Sequence, residues 1–132
     1  MFCLDSDCII YASKGKQPIS DRILSVQENE LCTTIINQAE LLAGANASNN
    51  LQKSLKVAEM WFEKLKIFNL DQKSVEIFAK EKARLSGLGK IIDDMDLLIA
   101  SICVANDLIL ITNNTKHFAR IKNLKIENWN ES

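Results

Sequence analysis

The stretch IIDDMDLLIASICVA, Ile91–Ala105, sets the terms on which the rest of the chain is read. After Asp96 the run Leu97, Leu98, Ile99, Ala100, Ile102, Cys103, Val104 and Ala105 is interrupted only by Ser101. A helix that is hydrophobic on every face is a buried helix, so this segment is expected to be an internal strut of a layered domain. Three carboxylates, Asp93, Asp94 and Asp96, stand at its head. Acids suit a first helical turn, where the dipole favours negative charge. Capping explains one or two of them; three within four residues exceed that need. The excess raises the question of whether other segments bring carboxylates to the same place.

Outward from the strut, helices alternate with short apolar runs. On its C-terminal side Asp107 makes a turn into Leu108–Thr112, LILIT, a continuous apolar run typical of a parallel strand covered on both faces. Asn113, Asn114 and Thr115 begin a short helix holding Phe118, Leu124–Ile126 reads as a last edge strand, and Trp129 docks the tail. On its N-terminal side a helix over Gln72–Leu85 is capped by Asp71 and closed by Gly87 and Gly89. Before it come a strand at Lys66–Leu70, a helix at Leu51–Leu65 and a turn over Gly44–Asn50. QAELLAGA, Gln38–Ala45, is a strong helix former with Asn37 as its cap. Leu31–Ile36 is β-branched and reads as a strand, Ser20–Gln27 and Cys8–Ala12 as short helices, and Met1–Asp5 as a buried strand. The alternation predicts a single domain over residues 1–132, a three-layer α/β/α fold with a mainly parallel central sheet.

Two more acids stand out in this frame. Asp5 closes the first strand, and open α/β sheets place ligands at the C-terminal ends of their strands; Asp5 or Ser6 also serves as an ordinary helix N-cap. Glu40 sits among Ala39, Leu41, Leu42 and Ala43. A carboxylate buried there is costly unless paired or metal-bound, or else it points out between the apolar faces. In a parallel sheet Asp5 and the Thr112–Asn114 corner share one edge, within reach of the helices that carry Glu40 and Asp96.

Composition narrows the function classes. The chain has 132 residues, 47% apolar and 25% charged, with a net charge of −1. That is an ordinary globular make-up with no global positive field, so nucleic acid binding requires a local basic face or a metal. No apolar run reaches the roughly 18–20 residues of a membrane span, and the N-terminus carries an acid and no basic region ahead of an apolar one. A cytoplasmic protein without membrane contact is expected. The four cysteines, Cys3, Cys8, Cys32 and Cys103, show no CxxC spacing, and there is one histidine. They read as buried thiols in a reducing compartment.

LDSDCIIY at Leu4–Tyr11, INQAELLAGA at Ile36–Ala45, DLLIAS at Asp96–Ser101 and LILITNNTKHF at Leu108–Phe118 together resemble the four motif segments of the PIN-domain family. They resemble most closely the VapC-type toxins of bacterial type II toxin–antitoxin pairs, as does the closing LKIENW at Leu124–Trp129. The segments occur in the family's order and span nearly the whole chain. The resemblance implies a Mg2+- or Mn2+-dependent endoribonuclease toxin, often directed at transfer RNA, forming a homodimer and neutralised by a cognate antitoxin protein. It assigns the catalytic and metal-holding acids to Asp5, Glu40 and Asp96, with Asp94 as a further ligand and Asp93 as a helix cap. Ser6, Thr112 and Asn114 are the supporting residues that hold the acids in place. Asp7 stands where these toxins usually have Asn, and Asn114 where many PIN domains have a fourth acid.

Elementary electrostatics agrees with that donor set. Unit charges 4 Å apart repel by about 4 kcal/mol at an effective dielectric of 20, so clustered carboxylates take up protons or bind a hard cation. All-oxygen ligands favour magnesium or manganese over zinc. Such an ion polarises a phosphodiester oxygen and activates water. Lys14, Lys82 and Lys116, with Lys16, Arg84 and Arg120 beyond them, are the candidates for RNA phosphate contacts. His117, on the short helix after the last motif at a position where these toxins often carry an acid, reads as a surface or packing residue. Tyr11, Met60, Trp61 and Phe62 offer apolar surface for an antitoxin or a second copy of the chain. Two other classes fit parts of the pattern. A catalytically silent PIN-like binding module would bind no metal. A receiver-like phosphoacceptor domain would want its acids at strand ends rather than on helices.

Overall fold

Five short strands carry the architecture in the computed structural model, which describes residues 1–131. They are β1 (Phe2–Leu4), β2 (Leu31–Thr34), β3 (Lys66–Phe68), β4 (Ile109–Ile111) and β5 (Lys125–Glu127). The sheet order is β3-β2-β1-β4-β5 and every pairing is parallel, with Cys3 opposite both Cys32 and Leu110. The expected mainly parallel sheet is thus wholly parallel. The order also removes the receiver-like reading, whose fold runs 2-1-3-4-5.

Seven helices cover the sheet among the described residues: α1 (Ser6–Ser13), α2 (Ile19–Ser25), α3 (Ile35–Asn46), α4 (Leu51–Lys64), α5 (Gln72–Gly87), α6 (Asp94–Ala105) and α7 (Thr115–Phe118). Alternate strand residues face opposite layers, as the pleat requires. Cys3, Cys32 and Leu110 pack with Leu85, Leu97, Ile99, Ala100, Cys103 and Phe118 on one side. Leu4, Leu31 and Ile111 pack with Cys8, Ile9, Ile19, Ile23 and Trp129 on the other. The apolar run after Asp96 is α6, and Leu97 and Ile99–Cys103 are all buried. The one hydroxyl among them, Ser101, donates to the Leu97 carbonyl at 2.7 Å and so carries no unmet polar group into the core. All four cysteines are free and buried, and burial pushes the Cys8 thiol up to about 12.

Three local expectations change. Asn37 does not cap α3. Thr34 does, its hydroxyl accepting from the Asn37 N–H at 3.2 Å, so Ile35 and Ile36 open the helix rather than extend the strand. Gly44 to Asn46 continue α3, which leaves the turn only residues 47–50. Gly87 remains helical, Leu88 is the C-cap of α5, and Gly89 takes the left-handed conformation at φ 67° that the chain reversal needs. Asp93 caps α6 as expected, its carboxylate accepting from Met95 N–H at 3.2 Å.

The order of the strands fixes where the site lies. The chain lays down β2 and β3 on one flank of β1, then crosses to lay β4 and β5 on the other. The crevice at the C-terminal ends of β1 and β4 is therefore a topological switch point, where open α/β sheets bind ligands. The backbone N–H of Asp5 donates to the Ile111 carbonyl at 2.9 Å and fastens the two strand ends there.

Candidate active site

Asp5 lies at the centre of this crevice, 8% exposed. Every hydrogen bond to its carboxylate comes from an element that ends or begins at this edge. Oδ1 accepts from the Ser6 N–H at 2.9 Å, at the start of α1, and from Asn37 Nδ2 at 3.2 Å, in the first turn of α3. Oδ2 accepts from Thr112 Oγ1 at 2.8 Å, just past β4. Thr112 is fully buried, and its hydroxyl oxygen in turn accepts the Asn114 N–H at 3.1 Å. Capping and site formation, read from the sequence as alternatives for Asp5, are one arrangement.

Glu40 reaches the same place from α3. Ser6 Oγ donates to its Oε1 at 2.8 Å and accepts from Asn37 Nδ2 at 3.0 Å. Asn37 and Glu40 stand three residues apart on one helix face, which aims both at Asp5 and Ser6. Asn37 is fully buried, and Thr34 Oγ1 donates to its Oδ1 at 2.8 Å, which fixes the amide with its NH2 toward the acids. Sequence reading gave Asn37 only a capping role. Its place three residues ahead of Glu40 was the signal that assigns it to the site.

Asp96 approaches from the first turn of α6, partly exposed, with Oδ2 3.3 Å from Nε2 of His117 on α7. All three acids have pKa values raised above the usual carboxylate range. For Asp5 burial is the chief cause, offset by the Thr112 hydroxyl and the Ser6 N–H, with the Asp96 and Asp7 charges adding to the rise. For Glu40 burial again leads, the Ser6 hydrogen bond opposes it, and Asp5, Asp96 and Asp7 raise it further. For Asp96 burial leads, His117 opposes it, and Asp93 and Asp7 add to it. The acids thus feel one another and share the exposed Asp7 as a fourth source of negative potential. Among the described residues no three acid, imidazole or thiol groups converge closely enough to make a ready-made ligand shell, which is the disposition mutual repulsion favours.

The structure turns Asp94 elsewhere. Residues two apart on a helix do not share a face, and Asp94 instead meets Lys82 of α5, whose Nζ lies 2.9 and 3.0 Å from its two oxygens. Asp94 and Lys82 thus face each other at the surface, each more than half exposed. Lys116 is exposed on α7 beside His117. Lys14 is exposed at the end of α1, where it joins Glu40, Ile9, Ile10, Val57 and Trp61 in lining a groove of about 670 Å³ between α1, α3 and α4. Of the four residues expected to offer apolar surface, Met60 is 55% exposed, while Tyr11, Trp61 and Phe62 are half-buried.

A family model described as PIN domain matches residues 2–124. Ribonuclease VapC2 of Haemophilus influenzae is 34% identical over 131 residues, covering 97% of each chain. The tRNA(fMet)-specific endonuclease VapC of Shigella flexneri is 26% identical over 128 residues, with 97% of both chains covered. Among solved structures, VapBC2 from Rickettsia felis bound to a DNA fragment from its promoter superposes with a TM-score of 0.90 at 30% identity, over 97% of this chain and 98% of that one.

Proposed function

Since the chain belongs to the PIN-domain family, on its VapC branch, we propose that it is a metal-dependent endoribonuclease toxin that cleaves transfer RNA and is neutralised by a cognate antitoxin. The observation that carries the reading is the joint suspension of the acids. One network of Ser6, Asn37 and Thr112 holds the buried Asp5 and ties the half-buried Glu40 to it, while the charge of Asp96 bears on both.

The donor set fits a hard cation. Its oxygens are carboxylates made costly to ionise by burial and by one another, and a positive ion relieves that cost. Asp5, Glu40 and Asp96 are the residues that hold Mg2+ or Mn2+ in this reading. The bound ion supplies Lewis acidity toward a phosphodiester oxygen and lowers the pKa of water. The protein's own share is positional. The Ser6 N–H and Asn37 take up both lone pairs of Asp5 Oδ1 and Thr112 takes one of Oδ2, so the free acceptor capacity of Asp5 lies on Oδ2. Ser6 fixes the rotamer of Glu40. Asn114, through its N–H to Thr112, holds the hydroxyl that serves Asp5.

Transfer RNA as substrate is supported by the Shigella relative, and an antitoxin partner by the VapBC complex of the Rickettsia relative. The groove between α1, α3 and α4, with Glu40 in its wall, gives an antitoxin segment a route to the acids. A homodimer belongs to the same reading.

The test is incubation of end-labelled transfer RNA with the untagged protein, with Mg2+, with Mn2+ or with a chelator. Discrete cleavage that needs an ion and vanishes in Asp5→Ala is expected. Undiminished cleavage in the chelator, or in Asp5→Ala, would remove the proposed chemistry. Cleavage confined to other RNAs would remove only the substrate.

A further inference from the structure

We propose that His117 Nε2 is a metal ligand in this chain, a nitrogen donor placed beside Asp96 that shifts the site's preference from Mg2+ toward Mn2+ and the later first-row ions. Three observations carry this. First, Nε2 is buried from solvent and has no hydrogen-bond partner, although it lies only 3.3 Å from Asp96 Oδ2. A buried nitrogen without a well-directed partner is costly. The contact with Asp96, which lowers the Asp96 pKa, leaves Nε2 without a hydrogen bond of good geometry, a lack that an ion held by both groups would make good. Second, the spacing suits one. Neighbouring ligands on an octahedral ion with bonds of about 2.1 Å stand about 3 Å apart. Third, the ring is braced rather than free. It meets Phe118 edge-on, with centroids 5.6 Å apart and planes at 79°, and Phe118 is buried in the core beneath it.

The inference rests on the cation reading above and adds to it a ligand of a different kind. Hard oxygen donors suit Mg2+, whereas imidazole suits transition ions, whose affinities rise along the first row. A mixed oxygen and nitrogen shell discriminates where an all-carboxylate shell does not.

His117 is the single histidine of the chain, which makes the test direct. Untagged protein loaded with Mn2+ is studied by electron spin echo envelope modulation. Modulation from a directly bound imidazole nitrogen is expected in the wild type and its loss in His117→Gln, chosen because it keeps a polar side chain of similar reach should His117→Ala fold poorly. Calorimetry gives the second measure: the ratio of Mn2+ to Mg2+ affinity falls by about tenfold or more in His117→Gln, and His117→Glu favours Mg2+. Mn2+ bound to the wild type without nitrogen modulation, or an unchanged affinity ratio in both variants, overturns the assignment and leaves the carboxylate site standing. Absence of Mn2+ binding while Mg2+ still binds overturns the assignment alone; absence of binding by either ion overturns the assignment and the cation reading together.

Discussion

The hydroxyl of Thr112 donates to Oδ2 of Asp5 at 2.8 Å, joining two buried side chains 107 residues apart in the chain. The bond closes the crevice between β1 and β4, and its oxygen also accepts the Asn114 N–H. Thr112→Val keeps the shape and removes both interactions. A buried carboxylate oxygen and a backbone N–H then lack partners, and stability falls by about 1–3 kcal/mol. Urea unfolding at neutral pH measures it; a change under about 0.5 kcal/mol would show that water replaces the hydroxyl without loss.

The acids at the head of α6 separate by role. Asp93→Ala removes the cap and costs about 1 kcal/mol while leaving RNA cleavage intact. Asp94→Ala breaks an exposed ion pair with Lys82 and changes stability by less than about 1 kcal/mol, again with cleavage intact. Asp96→Ala abolishes cleavage and leaves the fold in place. Melting curves and a cleavage assay on the three variants decide the matter, and loss of cleavage in Asp94→Ala would return that residue to the site.

Asp7 lies in the first turn of α1 and its charge raises the pKa of Asp5, Glu40 and Asp96 alike. Asp7→Asn therefore acts with opposite sign on two properties. The ion-free protein melts at a higher temperature, because a like charge has left the cluster, and Mg2+ binds several-fold more weakly, because the potential that attracts it has dropped. Scanning calorimetry and titration calorimetry give the two signs; movement of both in the same direction refutes the shared-field account.

Glu81, on α5, supplies a separate pH dependence. Its carboxylate is gripped by Arg84 at 2.7 and 2.8 Å and by the Lys122 N–H at 3.1 Å, and Arg84 chiefly, with the Lys122 N–H, holds its pKa below the ordinary value. A carboxyl depressed in the folded state gives stability that is present above its unfolded pKa and is lost as pH falls through the folded one. Glu81→Gln is thus expected to cost about 1–3 kcal/mol at pH 7, and the gap from the wild type narrows as pH drops below the usual carboxylate range of about 4. Denaturation at pH 7 and at pH 3 checks this: a gap that stays constant means the interaction is not ionic.

Much of this was legible from residue types alone. The all-apolar run after Asp96 could only be an internal helix, and LILIT only a covered strand, so the layers and the edge holding Asp5, Thr112 and Asp96 followed. Three features resisted. Thr34–Ile36 is β-branched throughout, and its composition does not say that the helix begins inside it; the Thr34 hydroxyl, accepting the Asn37 N–H, caps the start. Asp94 and Asp96 look alike in sequence, and only the two-residue step around a helix, with Lys82 waiting on the neighbouring one, tells them apart. His117 reads as a surface residue because α7 is a single turn whose facing is set by Phe118 anchoring in the core, a tertiary fact.

The pairing of the first strand with the fourth also sets a schedule. Asp5 is made long before its partners: the donor for its Oδ2 and the carbonyl that receives its N–H belong to residues 112 and 111. N-terminal segments are made first, and β1 waits for β4 across more than a hundred residues. Whatever reaction the crevice performs, the crevice cannot exist until segments more than a hundred residues apart have both been made.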